Sequence, residues 1–216
     1  MSALLFALLA APAVSTPIDA ERAFAADAQR IGQWTAFRKW ADPDAVMFNP
    51  QAVWARDFLK GRKDPPKSVS WWPTRSIMSC DGRSAINLGR WTTPGNSASG
   101  DFTTVWQVDK AKWRWVYDAA EPKATTAPAA RITSRVQIRR ASCRGRPTGA
   151  PALAPPALSP RQASTSLSDN GRGQSADRTL GWDWKVQPDG ARSFRTYLWN
   201  GRRYDVVIDQ KVLPQK

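Results

Sequence analysis

Phe102-Thr103-Thr104-Val105-Trp106-Gln107-Val108, followed after a short turn by Trp113-Arg114-Trp115-Val116-Tyr117-Asp118, sets the fold class of this chain. Side chains on a strand alternate between its two faces. Phe102, Thr104, Trp106 and Val108 therefore share one face of the first segment, and Trp113, Trp115 and Tyr117 share one face of the second. The pair reads as two antiparallel strands with an aromatic side. Further strands are expected over 68–72, 76–80 and 84–91, with Asp81-Gly82 as a hairpin turn between the last two. A sheet with so much indole on one side needs a cover, and the cover lies upstream. Over 19–41 the residues Ala20, Phe24, Ala28, Ile31, Trp34, Phe37 and Trp40 recur at spacings of three and four, which predicts a single long amphipathic helix. Asp42-Pro43 ends it, because proline supplies no helical N–H and pushes its predecessor out of the α region. A short strand over 45–48, a short helix over 51–59 and a polar loop over 60–67 follow. The expected class is α+β, a curved antiparallel sheet with a long N-terminal helix laid across it, occupying residues 19–120.

Beyond residue 120 the composition shifts. Residues 121–130 read as a linker, 131–143 as one strand, and the Pro/Ala/Ser/Gly-rich 147–176 as a disordered linker or loop. A three-stranded β meander is expected within 177–212, over 179–186, 192–199 and 203–209, with turns at Pro188-Asp189-Gly190 and Asn200-Gly201. Leu180, Trp182, Trp184 and Val186 share one of its faces. Three strands with one apolar side are marginal alone, so the meander should pack on the first domain or pair with the 131–143 strand.

At 216 residues the chain is long enough to bury a core without metals or staples. The run Leu4-Leu5-Phe6-Ala7-Leu8-Leu9-Ala10, followed by small residues, predicts a signal peptide over 1–15 and a periplasmic or secreted location. Cys80 and Cys143 suit an exported protein in which they pair, although their sequence positions leave the bond undecided. The net charge is +14, and residues 121–216 contribute 17 Lys and Arg against 7 Asp and Glu, hence +10 of it. The arginines are scattered and form no nucleic-acid motif, so no specific nucleic acid is expected. A solvated basic face, with an anionic envelope surface as its partner, fits better. The chain has no histidine. That removes the Cys-His nucleophile and zinc held through Cys and His, and no metal or cofactor is expected.

The run Ala36-Phe37-Arg38-Lys39-Trp40-Ala41-Asp42-Pro43-Asp44-Ala45-Val46-Met47-Phe48-Asn49-Pro50, followed by Ser79-Cys80-Asp81-Gly82 and the two aromatic strands, resembles the nuclear transport factor 2-like superfamily. More narrowly it resembles SnoaL-like exported proteins of unknown function. The resemblance covers about residues 19–120 and implies a cone, a bent sheet around a helix enclosing a pocket that relatives use for isomerisation, dehydration, ligand binding or protein contact. Fold alone does not choose among these uses. In the ketosteroid-isomerase-like members the resemblance places a general-base carboxylate where this chain has Asn49, and an oxyanion-stabilising acid near Thr104. An amide cannot take the substrate proton.

Nine of the twelve tryptophans fall between Trp34 and Trp115. So many indoles in one small domain leave N–H groups in need of partners, so several should face a cavity or an interface. The expected ligand-binding residues are Trp34, Trp54, Trp72, Trp106 and Trp115 as walls, with Asn49, Thr104 and Tyr117 as orienting polar groups. Asp57 and Asp118 are the candidates for acid/base work, because a carboxyl between aromatic residues is readily desolvated. A small apolar or aromatic ligand, bound without conversion, is the first expectation. An interaction module acting through a homodimer or an anionic polymer is the second, and a hydratase- or isomerase-like enzyme using one of the two aspartates is the third.

Overall fold

Thr16 starts the first helix. Its side chain accepts from the Asp19 N–H at 3.1 Å while the Asp19 carboxylate accepts from the Thr16 N–H at 3.2 Å, a capping box that satisfies two otherwise orphaned donors. In the computed structural model, which describes residues 15–123, 135–145, 147 and 169–214, this helix is α1, Pro17–Ile31, and it is followed by a separate α2, Gln33–Trp40. The single long helix expected from the sequence is thus broken, and Gly32 breaks it. Gly32 has a φ of 103°, and a Cβ there would lie 2.4 Å from the Asp64 carboxylate. Asp64 reaches in from the loop after α3 (Ala55–Leu59) and accepts from Thr35 N–H at 3.0 Å and Thr35 Oγ1 at 2.6 Å. These bonds hold its carboxyl below the usual range and cap the start of α2 from a distance.

The helices lie on one face of a seven-stranded sheet in the order β2-β1-β6-β5-β4-β3-β7. Its strands are β1 (Ala41–Asn49), β2 (Gln51–Trp54), β3 (Ser70–Met78), β4 (Ser84–Thr92), β5 (Ser99–Asp109), β6 (Lys112–Lys123) and β7 (Gln137–Arg140). The two strands expected over 68–72 and 76–80 are one strand, β3, with a register shift between Pro73 and Arg75. A second shift matters more. Val105 pairs with Tyr117 but Trp106 pairs with Trp115, so Val116 is an extra residue in β6 and the alternation of faces slips by one there. Trp113 and Trp115 pack under the helices with Phe24, Phe37, Trp71 and Trp106. Tyr117, expected on their face, turns to the other side with Val46, Ile77, Ile86 and Val105. Asp118 turns toward the helices in its place.

The outer face is covered by a second sheet, in the order β11-β10-β9-β8. It contains the expected meander as β9 (Leu180–Val186), β10 (Arg192–Trp199) and β11 (Tyr204–Val212), packed on the first sheet through Leu180, Trp182, Trp184 and Phe194. A fourth strand, β8 (Asn170–Gln174), corrects the reading of 147–176 as wholly loop. Its glycines hid it, and one of them is required. A Cβ on Gly173 would sit 2.2 Å from the Trp182 ring, so the bare backbone lets that indole lie across the strand. Of the strand expected over 131–143, residues 137–140 form β7, which runs parallel to β3 and so extends the first sheet and not the meander. Of the linker expected over 121–130, residues 121–123 finish β6. The remainder of that linker, and residues 1–14 of the expected signal segment, lie outside the described residues.

Cys80 and Cys143 are joined by a disulfide across 63 residues. The Cys80 N–H also donates to Thr179 Oγ1 at 2.8 Å, so the β3–β4 turn, the segment after β7 and the start of β9 meet at one point. Closing a loop of that length restricts the unfolded chain. The double variant Cys80→Ser/Cys143→Ser should lose about 2–4 kcal/mol in urea denaturation. An unchanged midpoint under oxidising conditions would show that the bond contributes nothing to the junction.

Candidate functional site

Glu21 shares the buried stripe of α1 with Phe24 and Ala28 and has no exposed surface. A carboxylate in that position needs donors from the sheet. It receives three, from Trp106 Nε1 at 2.7 Å, Trp71 Nε1 at 2.9 Å and Asn87 Nδ2 at 3.2 Å. Asn87 is itself fixed, since it also donates to the Pro17 carbonyl at 2.9 Å and accepts from Ser76 Oγ at 2.8 Å. Burial pushes the Glu21 carboxyl up to about 7, against the pull of the bonds from Trp106 and Trp71, and the nearby Asp118 adds to the rise. Asp27 serves another indole, accepting from Trp40 Nε1 at 2.9 Å. Two buried acids on α1 thus take three of the indole donors whose partners the sequence did not reveal.

Beside this core lies a cavity of about 340 Å³. Its aromatic wall comprises Trp34 and Phe37 from α2, Phe58 from α3, Trp71 from β3, Trp91 from β4 and Phe102 from β5. The polar groups on it are Gln33, Asn49, Arg62 and Asp118. Arg62 is exposed and lays its guanidinium 4.0 Å from the Phe58 ring centroid and 5.3 Å from that of Trp34. Asp118 is the one acid in the lining. The extra residue at Val116 aims it inward, opposite Thr104 in the ladder, and Thr104 Oγ1 donates to its Oδ2 at 2.9 Å. Burial pushes the Asp118 carboxyl up to about 6, moderated by the Thr104 bond and by Arg192, which reaches across from β10. Protein surrounds this carboxyl while its surface remains accessible from the cavity. Near neutral pH it can therefore accept a hydrogen bond as the anion or, slightly below, hold a proton.

No protein-family model matches the chain, and no curated protein matches it by sequence. Among solved structures it is similar to an NTF-2-like protein of unknown function from Shewanella oneidensis, at 17% identity and a TM-score of 0.39, over 49% of this chain and 98% of that one. It is also similar to the CamKII hub homology domain of Chlamydomonas reinhardtii, at 18% identity and a TM-score of 0.35, over 48% of this chain and 93% of that one. A third, from Kribbella flavida and assigned as a ketosteroid isomerase, shows 16% identity and a TM-score of 0.33, over 56% of this chain and 96% of that one. The architecture itself is α+β, a seven-stranded sheet with helices on one face and a second sheet on the other. The likeness is of fold alone and spans about half of the chain.

Trp34, Asn49 and Asp118 of the expected residues line the cavity, and Thr104 stands behind Asp118 and orients it. Trp106 and Trp115 are fully buried in the helix-side core, and Trp115 Nε1 meets no acceptor among the described residues. Trp72 is buried on the face opposite Trp71 and outside the cavity lining. Trp54 and Tyr117 face the second sheet. Asp57 is exposed on α3, along a surface groove with Arg38, Asp42 and Arg56. Among the described residues no group of three or more acids and cysteines is placed to hold a metal ion. The residue missed in the sequence is Glu21, and its signal was available, an acid three positions before Phe24 and seven before Ala28 on an otherwise apolar stripe.

Both Glu21 and Asp118 hold their protons more tightly in the folded protein than at their ordinary values of 4.5 and 3.8. An acid with a raised folded pKa contributes most stability below its unfolded pKa and loses it as pH climbs through the folded value. Their contribution is therefore complete near pH 4 and gone above about pH 7. Glu21→Gln keeps an acceptor for the indoles but cannot ionise, so the melting temperature of this variant should fall less steeply than the wild type's between about pH 5 and pH 8. An unaltered slope would contradict a buried, titrating Glu21.

Proposed function

We propose that the protein binds a small, mainly apolar, ring-bearing molecule in the cone cavity and fixes its orientation with one hydrogen bond to Asp118. The observation that carries this reading is a part-buried carboxyl in a wall of aromatic rings, Asp118 held by Thr104 in a cavity lined by Trp34, Phe58, Trp91 and Phe102. Such a wall favours flat apolar bodies, and one directed polar group sets their orientation. Binding is favoured over conversion because proton relay generally needs a second positioned group. The position where the resemblance puts a general base holds Asn49, at the cavity rim.

A second reading, proton transfer by Asp118 on a bound substrate, is favoured by the rise of its carboxyl to about 6, within reach of both protonation states near neutral pH. Export belongs to the same proposal and is supported by the Cys80–Cys143 disulfide, which persists in oxidising compartments. Contact with an anionic envelope surface is supported by the charge excess of residues 121–216 and by the fully exposed strand β7, which carries Arg139 and Arg140.

Naphthol and naphthalene separate these ideas, since they share a ring body and differ by one hydroxyl donor. In fluorescence titrations above pH 7, naphthol should bind about tenfold or more tightly than naphthalene, as expected for a hydrogen bond to a charged acceptor. Asp118→Ala should erase the difference, and it should shrink in the wild type as pH drops below about 6, where the acid gains its proton. Equal affinities in both proteins would overturn the role given to Asp118. Turnover of a bound carbonyl compound that Asp118→Asn abolishes would decide for the second reading.

A further inference from the structure

A second, smaller cavity of about 220 Å³ lies between the two sheets, on the side of the first sheet away from the cone cavity. Its apolar surface is formed by Trp54, Tyr117, Trp182 and Trp184, and its polar surface by Asp42, Asp44, Gln107 and Arg172. Gly173 lies in the lining as well, and its missing side chain is what allows the Trp182 indole to rest flat over β8. Asp42 Oδ1 accepts from the Asp44 N–H at 2.9 Å, which fixes one carboxylate against the strand. Trp54 is 7% exposed, and its Nε1 meets no acceptor among the described residues. The Trp54 N–H thus lacks the partner that a buried indole normally finds.

We propose that this cavity is a binding site for one neutral, polyhydroxylated ring, a single saccharide unit. The charge of the lining selects it. An anion would meet Asp42 and Asp44, and a cation would meet the Arg172 guanidinium. A purely apolar ligand would strip water from these charged groups without replacing its hydrogen bonds. A sugar hydroxyl donates to a carboxylate and accepts from a guanidinium or an indole N–H, and the C–H faces of the ring lie on indole. Arg172 has five N–H donors and so retains capacity beside any partner within the protein. The volume falls below the roughly 300 Å³ at which sites for drug-sized ligands begin, which matches one ring and not a chain. A free monosaccharide and the terminal unit of a glycan present the same chemistry to this site.

Glucose, galactose, mannose and N-acetylglucosamine, each as the monosaccharide and at the non-reducing end of a trisaccharide, are the probes, followed through indole N–H resonances in heteronuclear NMR. Tetramethylammonium and sulfate serve as the charged alternatives. The expected result is saturable binding of at least one neutral sugar that moves the Trp54 resonance, with affinity reduced about tenfold or more in Arg172→Met and in Asp44→Asn. Both residues are only partly buried, so these variants should fold. Equal affinity for the two forms would identify a free sugar as a sufficient ligand, and a gain with the trisaccharide would identify a glycan end. Both results support the site. No saturable binding by any neutral probe, tighter binding of tetramethylammonium or sulfate, or affinities untouched by both substitutions would overturn the proposal. Naphthol binding in the cone cavity should be unaffected by either variant, which keeps the two sites experimentally separate.

Discussion

The packing of the helices on the sheet rests on one buried carboxylate. Glu21 lies where the pattern of α1 calls for an apolar residue, and three strands answer it, β3 through Trp71, β4 through Asn87 and β5 through Trp106. An indole buries a large apolar surface but carries one donor that must not be left dry. In this core acids enter to meet three of the indole donors, those of Trp71, Trp106 and Trp40. Replacing Glu21 by an apolar residue would strand two indole N–H groups and take one of the bonds made by the Asn87 amide, whereas the carboxylate meets all three donors and ties α1 to the sheet.

Glu21 and Asp118, two acids whose carboxyls are pushed up by desolvation, take two different tasks. Glu21 is saturated by its three donors and encased in the core, while Asp118 has one side-chain donor, Thr104, and lies on the cavity wall. The division depends on a single extra residue. Without the slip at Val116, the alternation of β6 would place Tyr117 under the helices and Asp118 toward the second sheet, and the cavity would lose its only acid. The same slip supplies Tyr117 to the inter-sheet cavity. One bulge thus equips both faces of the sheet, and the C-terminal sheet supplies both the outer wall and, through Arg192, a distant charge that tempers Asp118.

Much of this could be read in the sequence. The alternation in 102–108 and 113–118 announced the sheet, the three-and-four spacing announced the helices, and Asp118 was identified because it follows a run of aromatic residues. The break at Gly32 was written in plain sight as a glycine inside a helical stripe, but its cause, the Asp64 carboxylate arriving from a later loop, is tertiary. The bulges at Thr74 and Val116 leave no mark in composition, because an inserted residue changes the phase of the pattern and not its character. Composition likewise does not tell a cavity tryptophan from a sealed one. Trp106 and Trp115 look no different from Trp34 and Trp91 in the chain, and only Glu21, the bulge and the second sheet decide which rings are sealed in and which border open space.

The most direct measurement is the pH titration of the Glu21 and Asp118 carboxyl carbons by NMR, with and without naphthol. Midpoints near 7 for Glu21 and near 6 for Asp118 are expected in the free protein. On binding, the Asp118 midpoint should move and that of Glu21 should stay. A shift of Glu21 alone, or of neither acid while naphthol binds, would contradict the assignment of one carboxylate to the core and the other to the ligand.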